Sequence, residues 1–251
     1  MNFSIYGLII GLAFLLGWWI WEKNLQAVGQ RLTSTQLNWA MILAALGALA
    51  GGRLYHVITD WPLYQDNFLA ATEVWQGGLG IYGALAGGLA GLAVWRKFQR
   101  PPRTWSQIVD ASALALPFAQ ALGRWGNFVN QELFGPPTNL PWGILIEPLK
   151  RPAQFAEFDR FHPLFLYESL ASLALGGFLF YFFRRFNKIW PLGSYFYTAM
   201  YLVTYASIRF SLEFFRISPA LGWGPLTFAQ WVSGLGILIG ILLLPRSFRL
   251  Q

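Results

Sequence analysis

The hydropathy pattern divides the chain into seven long apolar segments separated by shorter polar connections. Each segment is close to the roughly 20 residues that an α-helix needs to cross the hydrocarbon core of a bilayer. Helices are the expected form because lipid offers backbone amides no hydrogen-bond partners. The pattern predicts an all-α polytopic membrane protein, one integral-membrane domain over residues 1–251, with spans at 3–21, 39–58, 78–95, 108–128, 164–183, 195–215 and 228–244.

The connection at 131–163 is the only long one, and it holds six of the 14 prolines. Loops of this length without a helical pattern are often functional. We expect it to form a small cap on the extracytoplasmic surface of the membrane.

Lysines and arginines favour alternate connections, which predicts the orientation of the chain. Four lie on one side, at Lys150, Arg151, Arg160 and Arg216. Eleven lie on the other side, at residues 23, 31, 96, 97, 100, 103, 184, 185, 188, 246 and 249. Because the cytoplasmic side carries the excess of basic residues, we expect the N-terminus outside the cytoplasm and the C-terminus inside it.

The composition agrees with a membrane protein, with 55% hydrophobic residues, 12% charged residues and a mean hydropathy of +0.43. There is no cysteine, which excludes disulfides, a cysteine nucleophile and thiolate-bound metals. The two histidines, His56 and His162, show no metal-ligand spacing, so we expect structural roles for them and neither a metal nor a cofactor. In so apolar a chain the net charge of +7 favours anionic lipid over nucleic acid as the partner.

Glycines recur every four residues in two predicted spans, at Gly47 and Gly51 and at Gly83, Gly87 and Gly91. Small residues at this spacing let helix backbones approach closely in lipid. We therefore expect these two faces to be helix-packing surfaces.

Six charged residues lie within or at the edge of apolar spans: Arg53, Arg124, Arg209, Asp110, Glu168 and Glu213. Each costs roughly 2.5–3.5 kcal/mol at a helix centre. Such residues pair, face an aqueous cavity or meet a charged substrate. Arg209 and Glu213 are four residues apart and so share a helical face, which allows an internal ion pair. That interpretation leaves Arg53 and Arg124 without an evident partner.

The segment around Arg124 concentrates polar residues at the outer end of a predicted span, with the sequence GRWGNFVNQELFG at 123–135. Arg124 and Asn127 would project together from a helix, and the flanking glycines leave room for a ligand. Arginine suits phosphate because its planar fork donates paired hydrogen bonds. The segment therefore indicates a lipid-headgroup site.

The same segment resembles the signature of the bacterial prolipoprotein diacylglyceryl transferases, G-R-x-G-N-F-x-N-x-E-x-x-G, with all eight fixed positions filled. Supporting matches extend the resemblance along nearly the whole chain. They are Tyr6-Gly7-Leu8, Gly52-Arg53-Leu54, Gly78-Leu79 with Tyr82-Gly83, His162-Pro163 with Leu166-Tyr167-Glu168, Tyr205 with Arg209-Phe210, Glu213-Phe214-Phe215-Arg216, and Gln230.

The resemblance implies an enzyme of the bacterial plasma (inner) membrane. Such enzymes transfer the diacylglyceryl group of phosphatidylglycerol to the lipobox cysteine thiol of a preprolipoprotein, which forms a thioether and releases glycerol phosphate. The reacting thiol would come from the substrate, which agrees with a chain that has no cysteine of its own.

The resemblance, combined with this chemistry, assigns the candidate site. Arg124 and Arg209 are expected to bind the phosphate and stabilise the departing glycerol phosphate, with Glu132 as a further catalytic candidate that contacts the glycerol hydroxyls. The expected substrate-binding residues are Tyr6, Tyr82, Asn127, Asn130, Gly135, Tyr205 and Glu213, of which Glu213 would orient Arg209.

Tyr82 marks one departure from the family. Many members carry histidine there, a favoured candidate for the base that deprotonates the thiol. A tyrosine with an ordinary pKa near 10 is a poor base at neutral pH. Either another group takes the proton, or the field of the arginines lowers the pKa of the thiol, and Tyr82 is expected only to line the pocket.

Two other functions use the same residues. A transporter or channel for an anionic solute would bind its solute at intramembrane arginines, and a structural scaffold would neutralise them in internal ion pairs. Against transport, Arg124 lies near the end of a span and the sequence shows no inverted repeat.

Overall fold

Seven α-helices form most of the computed structural model, which describes residues 5–27, 32–74, 77–99, 104–217 and 222–249. They are α1 Ile5–Ala27, α2 Ser34–Thr59, α3 Ile81–Lys97, α4 Trp105–Asn130, α5 Leu164–Phe186, α6 Phe196–Glu213 and α7 Phe228–Arg249. Each coincides with a predicted apolar segment, which confirms the all-α membrane architecture. Several helices extend beyond the predicted spans because helical hydrogen bonding continues into the polar ends.

Three helices are by themselves long and apolar enough to cross a membrane: α1, α2 and α5, with mean hydropathies of 1.6, 1.5 and 1.5. Exposed leucines such as Leu8 and Leu12 on α1 and Leu170 and Leu173 on α5 suit a lipid-facing surface. That all seven helices cross the bilayer stays a prediction.

By contacts the chain divides into two compact units, Met1–Gly29 with Trp105–Gln251, and Gln30–Thr104. The single domain expected from the sequence therefore stays a prediction. The smaller unit contains α2 and α3, which run antiparallel. In the larger unit, α4 packs against α1, α5 and α6, and α6 packs against α5 and α7.

Glycines hold α2 and α3 in backbone contact, as their spacing predicted. A Cβ added to Gly47 would lie 2.2 Å from the carbonyl oxygen of Gly87, and one added to Gly51 would lie 2.3 Å from that of Gly83. One added to Gly91 would lie 2.0 Å from the carbonyl oxygen of Leu43. No side chain fits between these backbones.

Gly87→Ala is expected to destabilise the protein, while Gly88→Ala is not. A Cβ at Gly87 would lie 2.0 Å from the carbonyl oxygen of Gly47, whereas at Gly88 the nearest atom is 3.7 Å away. Overpacking of this kind costs about 1–3 kcal/mol. Thermal unfolding of the two detergent-purified variants measures the difference. Equal midpoints would show that α2 and α3 can move apart without loss of stability.

Arg53, for which the sequence showed no evident partner, is bonded to backbone. Its guanidinium donates to four backbone carbonyls in the connection between α2 and α3: to Ala71 (2.9 Å) and Ala70 (2.5 Å), and to Gly77 (2.6 Å) and Gly78 (3.2 Å). Gly77 and Gly78 both adopt positive φ, a conformation that favours glycine. Arg53 therefore organises this connection. Its partners are backbone carbonyls, which every residue has, so the sequence gives no sign of them.

Asp110 is a fully buried carboxylate that caps α6 from the neighbouring helix. Its Oδ2 accepts from the backbone N–H groups of Gly193 and Tyr195, both at 2.9 Å. Its Oδ1 accepts from the backbone N–H of Thr198 at 3.0 Å and from the Thr198 hydroxyl at 2.6 Å. Four donors compensate the buried charge, so Asp110 is explained by structure alone.

The loop 131–163 folds into a compact cap, as expected. Its strands β1 (Ile144–Leu145) and β2 (Arg160–Phe161) pair antiparallel, with short 3-10 turns at Pro148–Lys150 and Ala153–Phe155 between them. The core of the cap consists of Phe134, Ile146 and Phe161. A second two-stranded hairpin, β3 (Gly222–Trp223) and β4 (Leu226–Thr227), precedes α7.

Candidate functional site

A chain of polar side chains runs from the last two turns of α4 into the cap. Arg124 and Asn127 share a helical face, and Arg124 Nη1 donates to Asn127 Oδ1 at 3.4 Å. Beyond the helix end, the carboxylate of Glu132 accepts from Asn127 Nδ2 and from Asn130 Nδ2, both at 3.3 Å. The structure thus brings together four residues that the sequence analysis had assigned to the site.

The backbone around Glu132 is strained. Gln131 and Leu133 on either side of it have φ values of 52° and 53°, in the left-handed region that non-glycine residues rarely adopt. Leu133 is held there by burial against Leu164 and Phe165 at the start of α5. Strain of this kind persists only where the surroundings enforce it, and it concentrates at functional sites. The fold therefore fixes the position of Glu132.

Glu168 is the partner of Arg124, and the sequence analysis did not include it in the site. Arg124 Nη2 donates to Glu168 Oε1 at 2.5 Å. The hydroxyl of Tyr205 donates to the same oxygen at 3.0 Å and accepts from Arg124 Nη2 at 3.2 Å. The expectation that Arg124 lacks a partner was therefore wrong. One feature of the sequence could have indicated this partner: Glu168, 44 residues after Arg124, is a charged residue within an apolar span.

Arg209 lies in a second ion-pair cluster, with Glu213 and Arg216. Arg209 Nη2 donates to Glu213 Oε2 at 2.5 Å, and Arg216 Nη1 donates to Glu213 Oε1 at 3.4 Å. The internal pair considered from the spacing is therefore present. One carboxylate nevertheless serves two guanidinium groups, and Arg209 Nη1 is buried without a hydrogen-bond partner among the described residues.

Tyr205 lies on the same helix as Arg209. Its hydroxyl contacts Arg124 and Glu168, and Arg209 follows it by four residues, one turn along α6. Each of the two arginines is held by its own carboxylate, Arg124 by Glu168 and Arg209 by Glu213. Neither guanidinium is free of protein partners, and convergence of the two on one phosphate stays a prediction.

Tyr6 and Gly135 have clear packing environments. A Cβ added to Gly126 would lie 2.9 Å from the ring of Tyr6, so this glycine lets α1 place Tyr6 against the Arg124 segment. A Cβ added to Gly135 would lie 3.1 Å from both His162 Cβ and the carbonyl oxygen of Phe215. Gly135 therefore lies where the cap meets two helix ends, which is a structural reason for glycine there.

Tyr82 belongs to the other unit, where its ring packs against Tyr55 with centroids 6.0 Å apart. Both histidines contact tyrosine hydroxyls: His56 Nδ1 lies 2.9 Å from the hydroxyl of Tyr64, and His162 Nδ1 lies 2.9 Å from that of Tyr167. These bonds agree with the structural roles expected for the histidines.

The comparison with known proteins decides the family. The family model described as prolipoprotein diacylglyceryl transferase matches residues 1–246. The chain belongs to this family. Curated relatives named phosphatidylglycerol–prolipoprotein diacylglyceryl transferase include that of Acaryochloris marina, 37% identical over 94% of this chain and 84% of its own length. Those of Trichormus variabilis and Cutibacterium acnes are 38% and 39% identical, over 94% and 88% of this chain and 82% and 73% of their own lengths. The resemblance predicted from the sequence is confirmed.

Membership of this family indicates that the series of polar side chains at the end of α4 is functional. The segment 123–135, from which the family was predicted, carries Arg124, Asn127, Asn130 and Glu132, and the fold joins these four residues in one hydrogen-bonded series. The family signature and the candidate site are therefore the same piece of structure.

Proposed function

We propose that the chain transfers the diacylglyceryl group of phosphatidylglycerol to the lipobox cysteine of preprolipoproteins in a bacterial plasma membrane. Membership of the family and the names of relatives at 35–39% identity support this activity. The alternative of an anion transporter has no support among these relatives, and the segment that carries the family signature also carries the candidate site.

The reaction places charge on a phosphate. The substrate thiolate attacks the glyceryl carbon, an S–C bond forms, and the bond from that carbon to the phosphate oxygen breaks. Its electron pair goes to the leaving glycerol phosphate, which changes from a singly charged diester to a doubly charged monoester. Donors fixed near those oxygens stabilise the transition state more than the bound lipid, and this difference accelerates the reaction.

Arg209 provides the observation that supports phosphate binding most directly. Its Nη1 is a buried donor without an acceptor among the described residues, while its Nη2 donates to Glu213. A buried N–H without a partner costs free energy, which an anionic ligand would recover. We assign Arg209 and Arg124 to the phosphate and Glu213 to the orientation of Arg209.

Glu132 is suited to the glycerol headgroup. Its side chain is exposed, its position is fixed by strained neighbours, and its oxygens accept only long hydrogen bonds from Asn127 and Asn130. Lipid hydroxyls are stronger donors to a carboxylate than these amides at 3.3 Å. Tyr6, Tyr205 and Gly135 complete the substrate-binding set proposed within this unit, and Gly135 contributes by leaving space where the cap meets the helix ends. A pocket-lining role for Tyr82, which lies in the other unit, stays a prediction from the family resemblance.

The distribution of basic residues supports an orientation with the N-terminus outside the cytoplasm and the C-terminus inside. The cap at 131–163 then lies on the outer side, together with Glu132.

The assay that tests this function uses purified protein in vesicles with phosphatidylglycerol and a lipobox peptide. We expect glycerol phosphate release together with a diacylglyceryl mass increase on the peptide. A peptide with serine in place of cysteine is the matched control and should release none. Flux of an anionic solute without glycerol phosphate release would instead establish the transporter.

A further inference from the structure

Leu149 is the most exposed large hydrophobic side chain of the described residues, with 98% of its surface accessible. It occupies the centre of the 3-10 turn Pro148–Lys150 in the cap. An apolar side chain held fully in water forgoes the favourable free energy of burial. A leucine displayed in this way indicates a surface that is covered when the protein is in its working environment.

The turn that carries Leu149 is attached firmly to the end of α4. Lys150 Nζ donates to the carbonyl oxygen of Asn130 at 2.9 Å. The backbone N–H of Glu147 donates to Gln131 Oε1 at 2.7 Å, and Gln131 Nε2 returns a bond to Glu147 Oε1 at 3.1 Å. Three hydrogen bonds therefore fix the height of Leu149 relative to the last residue of α4.

That height is the edge of the membrane. Trp125, in the last two turns of α4, is 43% exposed, and exposed tryptophans near the ends of spanning helices are typical of the bilayer interface. α4 packs against α1 and α5, two helices long and apolar enough to span a bilayer. The turn thus lies at the depth of the lipid headgroups.

We propose that Leu149 inserts into the acyl region of the adjacent leaflet and anchors the cap on the lipid. The neighbouring cation suits this occupant. Lys150 follows Leu149 directly, and basic residues at this depth attract the phosphates of anionic lipids. The next residue, Arg151, instead donates to the carbonyl oxygens of Ile146 and Ala156 within the cap. Lys150 uses one of its three N–H groups on Asn130, so two others are left for lipid phosphate.

The absence of cysteine from the chain makes the test selective, because a single introduced thiol is the only one that can be labelled. Leu149→Cys would be labelled with the environment-sensitive fluorophore NBD and reconstituted in phosphatidylglycerol-containing vesicles. We expect blue-shifted emission and strong quenching by lipids that carry a nitroxide on the acyl chain. Glu157→Cys, at an exposed acidic position of the same cap, is the matched control and should show water-like emission without quenching.

Two outcomes would overturn the proposal. Water-like emission without quenching at position 149, equal to that at position 157, would show that the turn lies in water. A blue shift at position 149 that appears only after addition of a lipobox peptide, without quenching by nitroxide lipids, would show that the surface binds the acceptor and not lipid. The measurement needs no turnover, so its result is independent of whether the proposed activity is correct.

Discussion

Arg209→Lys is expected to lower the rate of diacylglyceryl transfer by about 10²–10³-fold, the usual effect of removing one donor that stabilises transition-state charge. Lysine keeps the positive charge but loses the planar fork, so its single ammonium nitrogen cannot occupy the positions of both Nη2, which bonds Glu213, and Nη1. In the native protein Arg209 Nη2 donates to Glu213, while the buried Nη1 has no hydrogen-bond partner among the described residues and is proposed to bind the phosphate. Arg124→Lys is expected to act in the same direction.

Initial rates of glycerol phosphate release measure this effect, with phosphatidylglycerol and peptide varied separately. The loss should lie mainly in kcat, because the negative charge grows as the carbon–oxygen bond breaks. Arg184→Lys is the matched control, an exposed arginine on α5 whose guanidinium lies over the ring of Phe180. Near-normal turnover of both Arg209→Lys and Arg124→Lys would remove these residues from the phosphate site.

Glu168→Gln is expected to reduce turnover by about 10²-fold and to lower the thermal midpoint. The change removes the charge that balances Arg124 while it preserves the shape of the side chain. Breaking a buried ion pair on one side typically costs about 3–5 kcal/mol, because the other charge stays buried without its counterpart. Arg124 would then no longer be held against Glu168 and Tyr205, and its guanidinium would reorient.

A positioning role for Glu168 is separated from simple destabilisation by the kinetic constants of the folded protein. A purely structural loss would reduce the amount of active enzyme but would leave its KM unchanged, whereas a misplaced Arg124 should change kcat and the KM for lipid. Tyr205→Phe removes only the hydroxyl that contacts Arg124 and Glu168. It should lower turnover less than tenfold, since a single neutral hydrogen bond contributes about 0.5–1.5 kcal/mol. Ser172→Ala, one turn along the same buried face of α5, deletes a hydroxyl without a partner among the described residues and should be neutral.

Several features of the fold were predictable because they depend on local pattern. The apolar segments became the seven helices, and the glycines at 47, 51, 83, 87 and 91 became a helix contact. The segment at 123–135 joins its own polar residues by bonds between positions three to five residues apart, such as Arg124 to Asn127 and Asn127 to Glu132. Short separations of this kind follow directly from helix geometry.

The partners of the buried arginines were not predictable in the same way. Arg124 is balanced by Glu168 on another helix, and Arg53 by carbonyls that carry no residue-specific signal. The charges themselves were recognised as anomalous in an apolar span, but hydropathy does not tell which helix faces which. The reason for glycine at position 135 was not predictable either, because its packing depends on where the cap meets α5 and the end of α6.

The sequence by itself determined the membrane class, the helical segments, the family and the location of the headgroup motif, because hydropathy, spacing and a contiguous signature are properties of the linear chain. Only the tertiary structure decided how the buried charges are balanced. It placed Glu168 and Tyr205 around Arg124, shared Glu213 between Arg209 and Arg216, and left one buried guanidinium nitrogen of Arg209 without a hydrogen-bond partner among the described residues. The physical reason is that Coulomb and hydrogen-bond energies depend on distances of a few ångströms, which helix packing fixes after the segments have formed.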